Sequence, residues 1–307
     1  MTARPSSAKL LEQDPYFLDT DKLPDWQNLF GNCRPMKLEI GFGMGDFLIE
    51  MAVKEPHSNF IGIDFSESGT RQLLTQIKNF RLVNIRVAYG DARNKIPFLF
   101  RDGELDTIYI NFPDPWPRKR HIKRRLVKPE FVKLVAQKLV QKGHVHLATD
   151  SETYAQEILE YFNAEPLFQN INQESGFQDD RSNLPRTKYE KSFIYADEKI
   201  HYLEYFRLAF AEEYKKPYKK NPLTNKETSQ SQQAGAMAKN KDSLLVEKFE
   251  NAEAKAKDAC DLKKIADNLV AAGDKEWASK VYKKAEIKAK DSLDFNWLAY
   301  SISETLG

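Results

Sequence analysis

Three glycines, Gly41, Gly43 and Gly45, follow a short apolar run in the stretch LEIGFGMGDF. Glycines at the end of a strand let the backbone turn tightly and leave room for a ligand to lie against it. A dinucleotide-binding turn has the spacing G-x-G-x-x-G, whereas here Asp46 occupies the last position and would repel a pyrophosphate. The spacing therefore favours a ligand-binding turn that does not hold a dinucleotide, and a purely structural glycine turn is the alternative.

Acidic residues accompany each of the first three apolar runs. Glu39 precedes the glycine turn, Asp64 ends the run NFIGID, and Asp91 lies in the tripeptide GDA. The carboxylate of Asp64 can accept hydrogen bonds from both hydroxyls of a ribose, and Asp91 is spaced for an adenine amino group. Both aspartates are also good helix N-caps, so capping is the alternative for each. Because ligands bind beyond the carboxyl ends of such strands, the three acids together predict an adenosine pocket.

A proline-rich loop follows the fourth apolar run, in the stretch NFPDPWPRKRH. Pro113, Pro115 and Pro117 exclude a helix or a central strand and stiffen the loop around Asp114 and Trp116. Trp116 offers a face on which a base can stack, and Asp114 can accept hydrogen bonds from the Watson-Crick edge of a guanine. We therefore expect the loop to hold a substrate base, although a plain structural turn would explain the prolines by themselves.

The loop runs directly into residues 118–128, RKRHIKRRLVK, which we call the basic segment. It contains seven Lys or Arg, one His and no acid, although the formal net charge of the whole chain is only +2. Such a dense run of one sign costs self-repulsion, which contact with nucleic acid phosphates would relieve. The basic segment predicts RNA binding, and a solvated helix face is the alternative.

These motifs need a scaffold that brings the ends of several strands together. Between residues 36 and 217, short apolar runs alternate with amphipathic stretches, which predicts an α/β fold with a mostly parallel, doubly wound, Rossmann-like sheet. We expect strands near residues 36–40, 59–63, 84–88, 106–111 and 143–148. We expect helices at about residues 45–54, 67–80, 129–140 and 151–162.

Composition is that of an ordinary globular protein, with 41% hydrophobic and 30% charged residues in a chain of 307. The first residues lack the apolar core of a signal peptide, and no run of about 18 apolar residues occurs. We therefore expect a cytoplasmic protein that does not contact membranes. The two cysteines, Cys33 and Cys260, cannot build a cysteine zinc site, and no metal site is predicted.

The composition of the chain changes in its last third. Residues 218–243 are poor in large apolar side chains and rich in Gln, Ser, Asn and Lys, which is typical of a linker. We expect a Rossmann-like domain over residues 1–217, with its core at about 36–214, and a separate helical extension over residues 244–307.

The helical extension contains an internal repeat. Residues 249–266 align with residues 282–299 at a spacing of 33, with Gly273 at the turn between them, which resembles tetratricopeptide or Sel1-like repeats. Lysines and acids balance over residues 226–307, and this region contains no arginine. Docking to a protein partner or self-association is therefore favoured over RNA binding for the extension.

The segments LEIGFGMG, IGID, GDA, NFPDPWPRKRHIKRR, HLATD and RTKYE, in this order, closely resemble the bacterial tRNA (guanine-N7) methyltransferase family. The likeness covers about residues 38–208, and the stretch FPDPW-x-x-x-RH-x-KRR is specific to that family. The resemblance implies a Rossmann-like methyltransferase that uses S-adenosyl-L-methionine to methylate N7 of a guanine in tRNA. The guanine would be at position 46 in the variable loop, and the product would be 7-methylguanosine.

The resemblance also implies roles for individual residues. It implies cofactor binding by Glu39, Gly41, Gly43, Gly45, Asp64, Asp91 and Asp114, of which Asp114 is also the catalytic residue. It implies tRNA or substrate contacts for Arg118, Arg120, His121, Lys123, Arg124, Arg125, Asp150, Thr187, Lys188, Tyr189 and Glu190. Two positions depart from the family pattern, because Arg118 stands where Lys is usual and Asp64 where many relatives carry Glu.

The motifs are also compatible with two other functions. An amino-nitrogen methyltransferase would explain the NFPDP loop, which is similar to the N/D-P-P-Y/F loop that grips an exocyclic amine. The order Asp114-Pro115-Trp116 disfavours that reading. A non-catalytic tRNA-binding scaffold would explain the basic segment and the extension, but not three acids beside a glycine turn. Binding of S-adenosyl-L-methionine separates this scaffold from an enzyme.

Overall fold

The computed structural model of the chain describes residues 13–18, 23–181, 183–208, 246–256 and 259–288. The chain separates into two compact units, residues 1–208 and 209–307. The predicted linker over residues 218–243 lies outside the described residues, and so does the predicted boundary at residue 217. The domain limits therefore stay a prediction.

The first unit is built around one seven-stranded sheet. Its strands are β1 (Met36–Ile40), β2 (Asn59–Asp64), β3 (Ile85–Tyr89), β4 (Leu105–Asn111), β5 (Leu139–Thr149), β6 (Phe168–Asn170) and β7 (His201–Arg207). Their order in the sheet is β3-β2-β1-β4-β5-β7-β6. The first five strands are parallel to one another, whereas β7 is antiparallel to β5 and β6. The predicted α/β class with a mostly parallel sheet is thereby confirmed.

Helices cover both faces of this sheet. They are α1 (Trp26–Phe30), α2 (Asp46–Lys54), α3 (Glu67–Asn79), α4 (Ala92–Leu99), α5 (Pro129–Lys138), α6 (Glu152–Ala164) and α7 (Lys188–Tyr195), with a 3-10 helix at Lys119–Arg124. On one face, α2 and α3 bury residues such as Leu48 and Leu73 against the sheet. On the other face, α4, α5 and α6 bury residues such as Ile96, Val132 and Ile158. The sheet therefore lies between two apolar layers, as in doubly wound folds.

The strand order reverses between β1 and β4. From β1 the chain proceeds to β2 and β3 on one side of the sheet and then to β4 and β5 on the other. In such a sheet, ligands bind in the crevice beyond the carboxyl ends of the two strands where the order reverses. The glycine turn follows β1 and the proline-rich loop follows β4, so both border this space, which we call the crevice.

Five helices and strands of the first unit differ from the sequence expectation, because the pattern does not predict α1, α4, α7, β6 or β7. Pro97 lies inside α4, and a proline there favours a loop interpretation. β6 and α7 have three and eight residues, too few to show a clear hydrophobic period. The helix expected over residues 129–140 ends at Lys138, since the next residue begins β5.

The second unit is helical where it is described, over residues 246–255, α8 (Ala259–Ala271) and α9 (Lys275–Lys288). Gly273 lies at the turn between α8 and α9 with a φ of 92°, and Leu269 and Val281 are buried between the helices. The repeat assignment stays a prediction, since residues 289–307 lie outside the described residues. Among the helices described in either unit, none has the length and apolar character needed to cross a bilayer.

Candidate active site

The glycine turn between β1 and α2 depends on backbone conformations that favour glycine. Gly41, Gly43 and Gly45 have φ values of 78°, 56° and 87°, a region that other residues adopt only with strain. A Cβ at Gly45 would lie 2.6 Å from the side chain of Leu73, whereas at Gly41 or Gly43 it would meet nothing within 4 Å. Glycine is therefore required at position 45, because any larger residue would clash with Leu73. Gly41 and Gly43 leave open space beside the backbone.

Glu39 and Asn111 join the two central strands at the crevice. Asn111 Nδ2 donates to Glu39 Oε1 at 3.0 Å, and Glu39 is only 2% exposed. Burial raises the pKa of Glu39 to about 8, against the lowering effect of the Asn111 hydrogen bond. Its second oxygen, Oε2, is buried and has no hydrogen-bond partner among the described residues. Because a buried acceptor without a donor is costly, this oxygen is suited to a donor or cation supplied by a ligand.

Asp64 holds the glycine turn in place. Its Oδ2 accepts from the backbone N–H of Gly43 at 2.7 Å, and its Oδ1 accepts from Ser66 N–H at 2.7 Å. The N-cap of α3 is Ser66, so the capping alternative for Asp64 is wrong. Each carboxylate oxygen of Asp64 keeps a further lone pair for a ligand.

Asp91 is the N-cap of α4, as the capping alternative proposed, and accepts from Arg93 N–H at 2.9 Å. The Arg93 guanidinium also donates to both Asp91 oxygens. Although burial raises the pKa of Asp91, the hydrogen bonds and charge of Arg93 hold it below its usual value. Asp91 is therefore ionised at neutral pH, and an adenine contact would have to share its carboxylate with Arg93.

The proline-rich loop after β4 is held in an unusual backbone conformation. Phe112 and Trp116 have φ values of 49° and 41°, which cost free energy for residues other than glycine. Asp114, between two prolines, is exposed. The guanidinium carbon of Arg124 lies 5.0 Å from the centre of the Trp116 ring, and His121 meets that ring edge-on at 5.6 Å. One face of Trp116 is therefore covered by the protein itself and is not free to stack on a base.

Arg125 fastens this loop to the rest of the first unit. Its side chain is 3% exposed and forms an ion pair with Glu157 of α6 at 2.7 Å. Its Nε donates to the backbone oxygen of Pro115 at 2.7 Å, and its guanidinium carbon lies 4.7 Å from the ring centre of Tyr154. These contacts leave almost no exposed guanidinium surface and place Arg125 to hold the loop, and its expected contact with tRNA stays a prediction.

The remainder of the basic segment forms the 3-10 helix Lys119–Arg124 and has no buried residue there. Its exposed cations are Arg118, Lys119, Arg120, Lys123 and Arg124, and His121 is half-buried. No acidic residue is bound to Arg118, Arg120 or Lys123 by an ion pair in the described part of the chain. The segment therefore presents uncompensated positive charge next to Asp114.

A buried polar network, which the sequence pattern does not predict, supports the crevice from the other side. Arg181 donates to Asn111 Oδ1 at 2.5 Å and forms an ion pair with Glu190, whose side chain is 0% exposed. Tyr202 of β7 donates to Glu190 Oε1 at 2.9 Å. Through Asn111 the network reaches Glu39. Arg181 itself lies in a loop without periodicity, where the charged run Asp179-Asp180-Arg181 is only a weak sequence signal.

The segment RTKYE forms the start of α7, and only part of it faces solvent. Thr187 and Glu190 form a capping box, in which Thr187 Oγ1 accepts from Glu190 N–H at 3.1 Å. Glu190 has no exposed surface and binds Thr187 and Arg181 within the chain, and its expected base contact stays a prediction. Lys188 and Tyr189 are exposed, and the Tyr189 ring lies 6.4 Å from that of Phe112.

Asp150 directly follows β5 and is exposed. The N-cap of α6 is the next residue, Ser151, so Asp150 is not the helix cap that the sequence left open. Since β1 to β5 are parallel, Asp150 shares one edge of the sheet with Glu39, Asp64, Asp91 and Asp114. This edge combines several carboxylates with open space at a glycine turn, a setting suited to a cationic nucleoside.

Comparisons with known proteins agree with this geometry. Residues 33–203 match the model of a family described as "Putative methyltransferase". A tRNA (guanine-N(7)-)-methyltransferase of Saccharophagus degradans is 43% identical over 163 residues, which are 53% of this chain and 71% of that protein. One of Aliivibrio fischeri is 40% identical over 170 residues, 55% of this chain and 71% of that protein. The solved structure of an aminoglycoside resistance methyltransferase has a TM-score of 0.41 and 14% identity over 61% of this chain and 95% of its own. The chain therefore belongs to the tRNA (guanine-N(7)-)-methyltransferase family.

Proposed function

We propose that this protein transfers a methyl group from S-adenosyl-L-methionine to N7 of a guanine in tRNA, giving 7-methylguanosine and S-adenosylhomocysteine. One observation carries the proposal. The crevice joins a glycine turn to the buried and unpartnered Oε2 of Glu39, and the exposed basic segment begins at the same edge. Relatives about 40% identical to this chain carry this activity in their names.

The cofactor would supply a methyl group bonded to a positively charged sulfur. A nucleophile in line with the carbon–sulfur bond would take the methyl group, and S-adenosylhomocysteine would be the leaving group. Glu39, Asp64 and Asp91 would hold the cofactor, with the open backbone of Gly41 and Gly43 beneath it. The carboxylates of Asp64 and Asp91 give the crevice a negative potential that favours a cation, and Glu39 would add to it once it is ionised. The remaining lone pairs of Asp64 are available to ribose hydroxyls, and the adenine amino group would share the Asp91 carboxylate with Arg93.

Asp114 would fix the guanine. Guanine N7 has an in-plane lone pair and carries no proton, so no general base has to act before methyl transfer. Catalysis then comes chiefly from positioning, and aligned reactants can gain about 7 to 11 kcal/mol. The Asp114 carboxylate accepts from the N1 and N2 edge of the base and stabilises the positive charge that methylation leaves on the ring. Tyr189, exposed beside Phe112, adds a stacking face.

The exposed cations of the basic segment would bind tRNA phosphates, because charge at this position is both accessible and uncompensated. Asp150, Lys188 and Tyr189 complete the surface that meets the RNA. We propose that the methylated guanine is at position 46, in the variable loop of the tRNA, as the family resemblance implies.

The second unit would serve a different purpose. We propose that it docks a protein partner or a second copy of the chain, because a short helical repeat buries little surface by itself. Ile287, on α9, is 84% exposed, which supplies apolar surface for such a contact. We assign the whole protein to the cytoplasm, where its tRNA substrate would be met.

Asp114 provides the test of this function. Asp114→Asn keeps the shape of the side chain but removes its charge, and turnover should fall by on the order of 100-fold with tRNA that lacks 7-methylguanosine. The measurement is single-turnover methyl transfer, followed by nucleoside analysis of the digested tRNA. Loss of turnover with retained cofactor affinity is the expected result.

Asp102→Asn is the matched control, since Asp102 is an exposed aspartate before β4, at the opposite edge of the sheet. It should methylate at the wild-type rate. Near wild-type turnover of Asp114→Asn would remove Asp114 from its catalytic role. A wild-type product other than 7-methylguanosine would overturn the function itself.

A further inference from the structure

Two histidines and a glutamate lie together on one face of β5 and β7, away from the carboxyl ends that border the crevice. His144 and His146 are two residues apart on β5, so their side chains leave the same face of the sheet. Glu204 of the antiparallel strand β7 is paired with His146. We propose that His144, His146 and Glu204 form a binding site for a divalent transition metal ion, with Zn²⁺ as the best-matched ion.

The distances fit such an ion. Glu204 Oε1 lies 2.9 Å from His144 Nδ1, and Glu204 Oε2 lies 3.8 Å from His146 Nδ1. One ligand atom from each residue can be chosen so that all three lie within 4.8 Å of one another. Zinc ligands about 2.1 Å from the ion in tetrahedral geometry are about 3.4 Å apart. Small rotations of the side chains therefore bring the three ligands to a common ion without movement of the strands.

The chemistry of the three groups also fits. Two imidazole nitrogens and one carboxylate oxygen form a common ligand set for zinc, and three protein ligands leave a fourth position for water. The His146 ring stacks on Tyr109 at 5.3 Å between ring centres, which restrains its orientation.

Access and location are suited to an ion taken up from solution. The side chains of His144, His146 and Glu204 are 41%, 20% and 26% exposed, so the site is open on one side. A bound ion would join β5 to β7, where the sheet changes from parallel to antiparallel pairing. We assign it this structural role and no step of methyl transfer, since the three ligands lie within the strands and not at their carboxyl ends.

Calorimetric titration of the chelator-treated full chain with ZnCl₂ tests the site. The wild type should bind one Zn²⁺ per chain, and His144→Ala and Glu204→Gln should each weaken binding by about tenfold or more. His57→Ala removes an exposed histidine in another loop and should bind Zn²⁺ like the wild type. Titration with Co²⁺ should give the visible absorption of a tetrahedral site in the wild type and in His57→Ala, but not in His144→Ala.

His144 is the most exposed of the three ligands, so its replacement should leave the fold intact, which circular dichroism of the metal-free variants checks. Absence of stoichiometric Zn²⁺ binding by the wild type would overturn the proposal. Unchanged affinity in both His144→Ala and Glu204→Gln would overturn it as well, because bound zinc would then have other ligands.

Discussion

The two sides of the crevice use their polar residues differently. On the cofactor side, at the ends of β1 and β2, Asp64 binds the glycine turn and Glu39 keeps one buried oxygen without a partner. On the RNA side, after β4 and at the start of α7, Arg125 and Glu190 are buried and bind other parts of the protein. Charge and spacing thus predict a surface that meets RNA, and burial distinguishes which of its charged residues are accessible to a ligand.

The physical reason is the cost of a buried charge. Removing an ion from water costs several kcal/mol unless a partner and further hydrogen bonds replace the lost hydration. Arg125 and Glu190 each have such partners within the fold, so exposing either to a ligand would require those contacts to break. The exposed residues Arg120 and Lys123 have no such cost and are the ones expected to meet phosphates.

The largest effect should come from breaking the buried network on the RNA side. Arg181→Met leaves the Glu190 carboxylate buried without its cation, and the free energy of unfolding should fall by about 3 to 5 kcal/mol. Urea denaturation of the free protein measures this loss. Arg186→Met is the matched control: its ion pair with Asp180 is exposed, with side chains 38% and 46% accessible, and should contribute at most about 1 kcal/mol. Equal losses in the two variants would contradict the distinction between the buried and the exposed charges.

On the cofactor side of the crevice, we expect a smaller effect, which is a pH-dependent affinity for the cofactor. Glu39 must be ionised to bind a cationic ligand, and its pKa near 8 means that it is mostly protonated in the free protein at neutral pH. Apparent affinity for S-adenosyl-L-methionine should therefore rise on the order of tenfold between about pH 6 and pH 7.5, following the ionised fraction. Calorimetry over this range measures the rise, which Glu39→Gln should abolish. A pH-independent affinity in the wild type would show that Glu39 does not contact the charged part of the cofactor.

The free protein gives an independent check on Glu39. Its folded pKa of about 8 lies above its ordinary value of 4.5, so protonated Glu39 stabilises the fold at low pH, and this contribution is lost as the pH rises through about 8. Glu39→Gln cannot ionise and keeps an acceptor oxygen for Asn111. Its thermal stability relative to the wild type should therefore increase from pH 5 to pH 9. A constant difference would contradict the raised pKa.

The smallest effect should distinguish the exposed and buried arginines of the basic segment. Arg120→Ala should reduce the slope of log affinity against log salt concentration by about 1, since one phosphate contact is lost. Arg125→Met should leave that slope unchanged while lowering turnover, because it loosens the loop that carries Asp114. Filter binding of tRNA at several salt concentrations measures both slopes. A reduced slope in Arg125→Met would mean that Arg125 does reach the RNA.

Much of the scaffold follows from the sequence. The five parallel strands have apolar runs bounded by glycine, proline or acidic residues, and all five were expected within a few residues of their positions, apart from the early start of β5 at Leu139. β1, β2 and β4 are buried on both faces along nearly their whole length, which makes their hydrophobic pattern strong, whereas β5 is partly exposed on one face. The antiparallel strand β7 is partly exposed on one face, and its mixture of aromatic and charged residues gives a weaker signal.

The site was less predictable because its residues are joined by contacts between distant parts of the chain. Arg181 binds Asn111, which lies 70 residues earlier, and no local sequence pattern predicts such a contact. His144 and His146 do have a local signal, H-x-H on a strand, but the third ligand Glu204 lies 60 residues later. The cysteines alone predict no metal site, and the two histidines become a candidate ligand pair only because the fold brings Glu204 beside them.

The most direct test of the account is a tRNA in which a single atom is changed. A transcript with 7-deazaguanosine at position 46 replaces N7 by carbon and so lacks the lone pair that would attack the methyl group, while the Watson-Crick edge stays the same. We expect normal binding of this tRNA but methyl transfer at background level, against full transfer to the unmodified transcript. Methylation of the substituted tRNA at the unmodified rate would contradict the assignment of guanine N7 at position 46 as the acceptor.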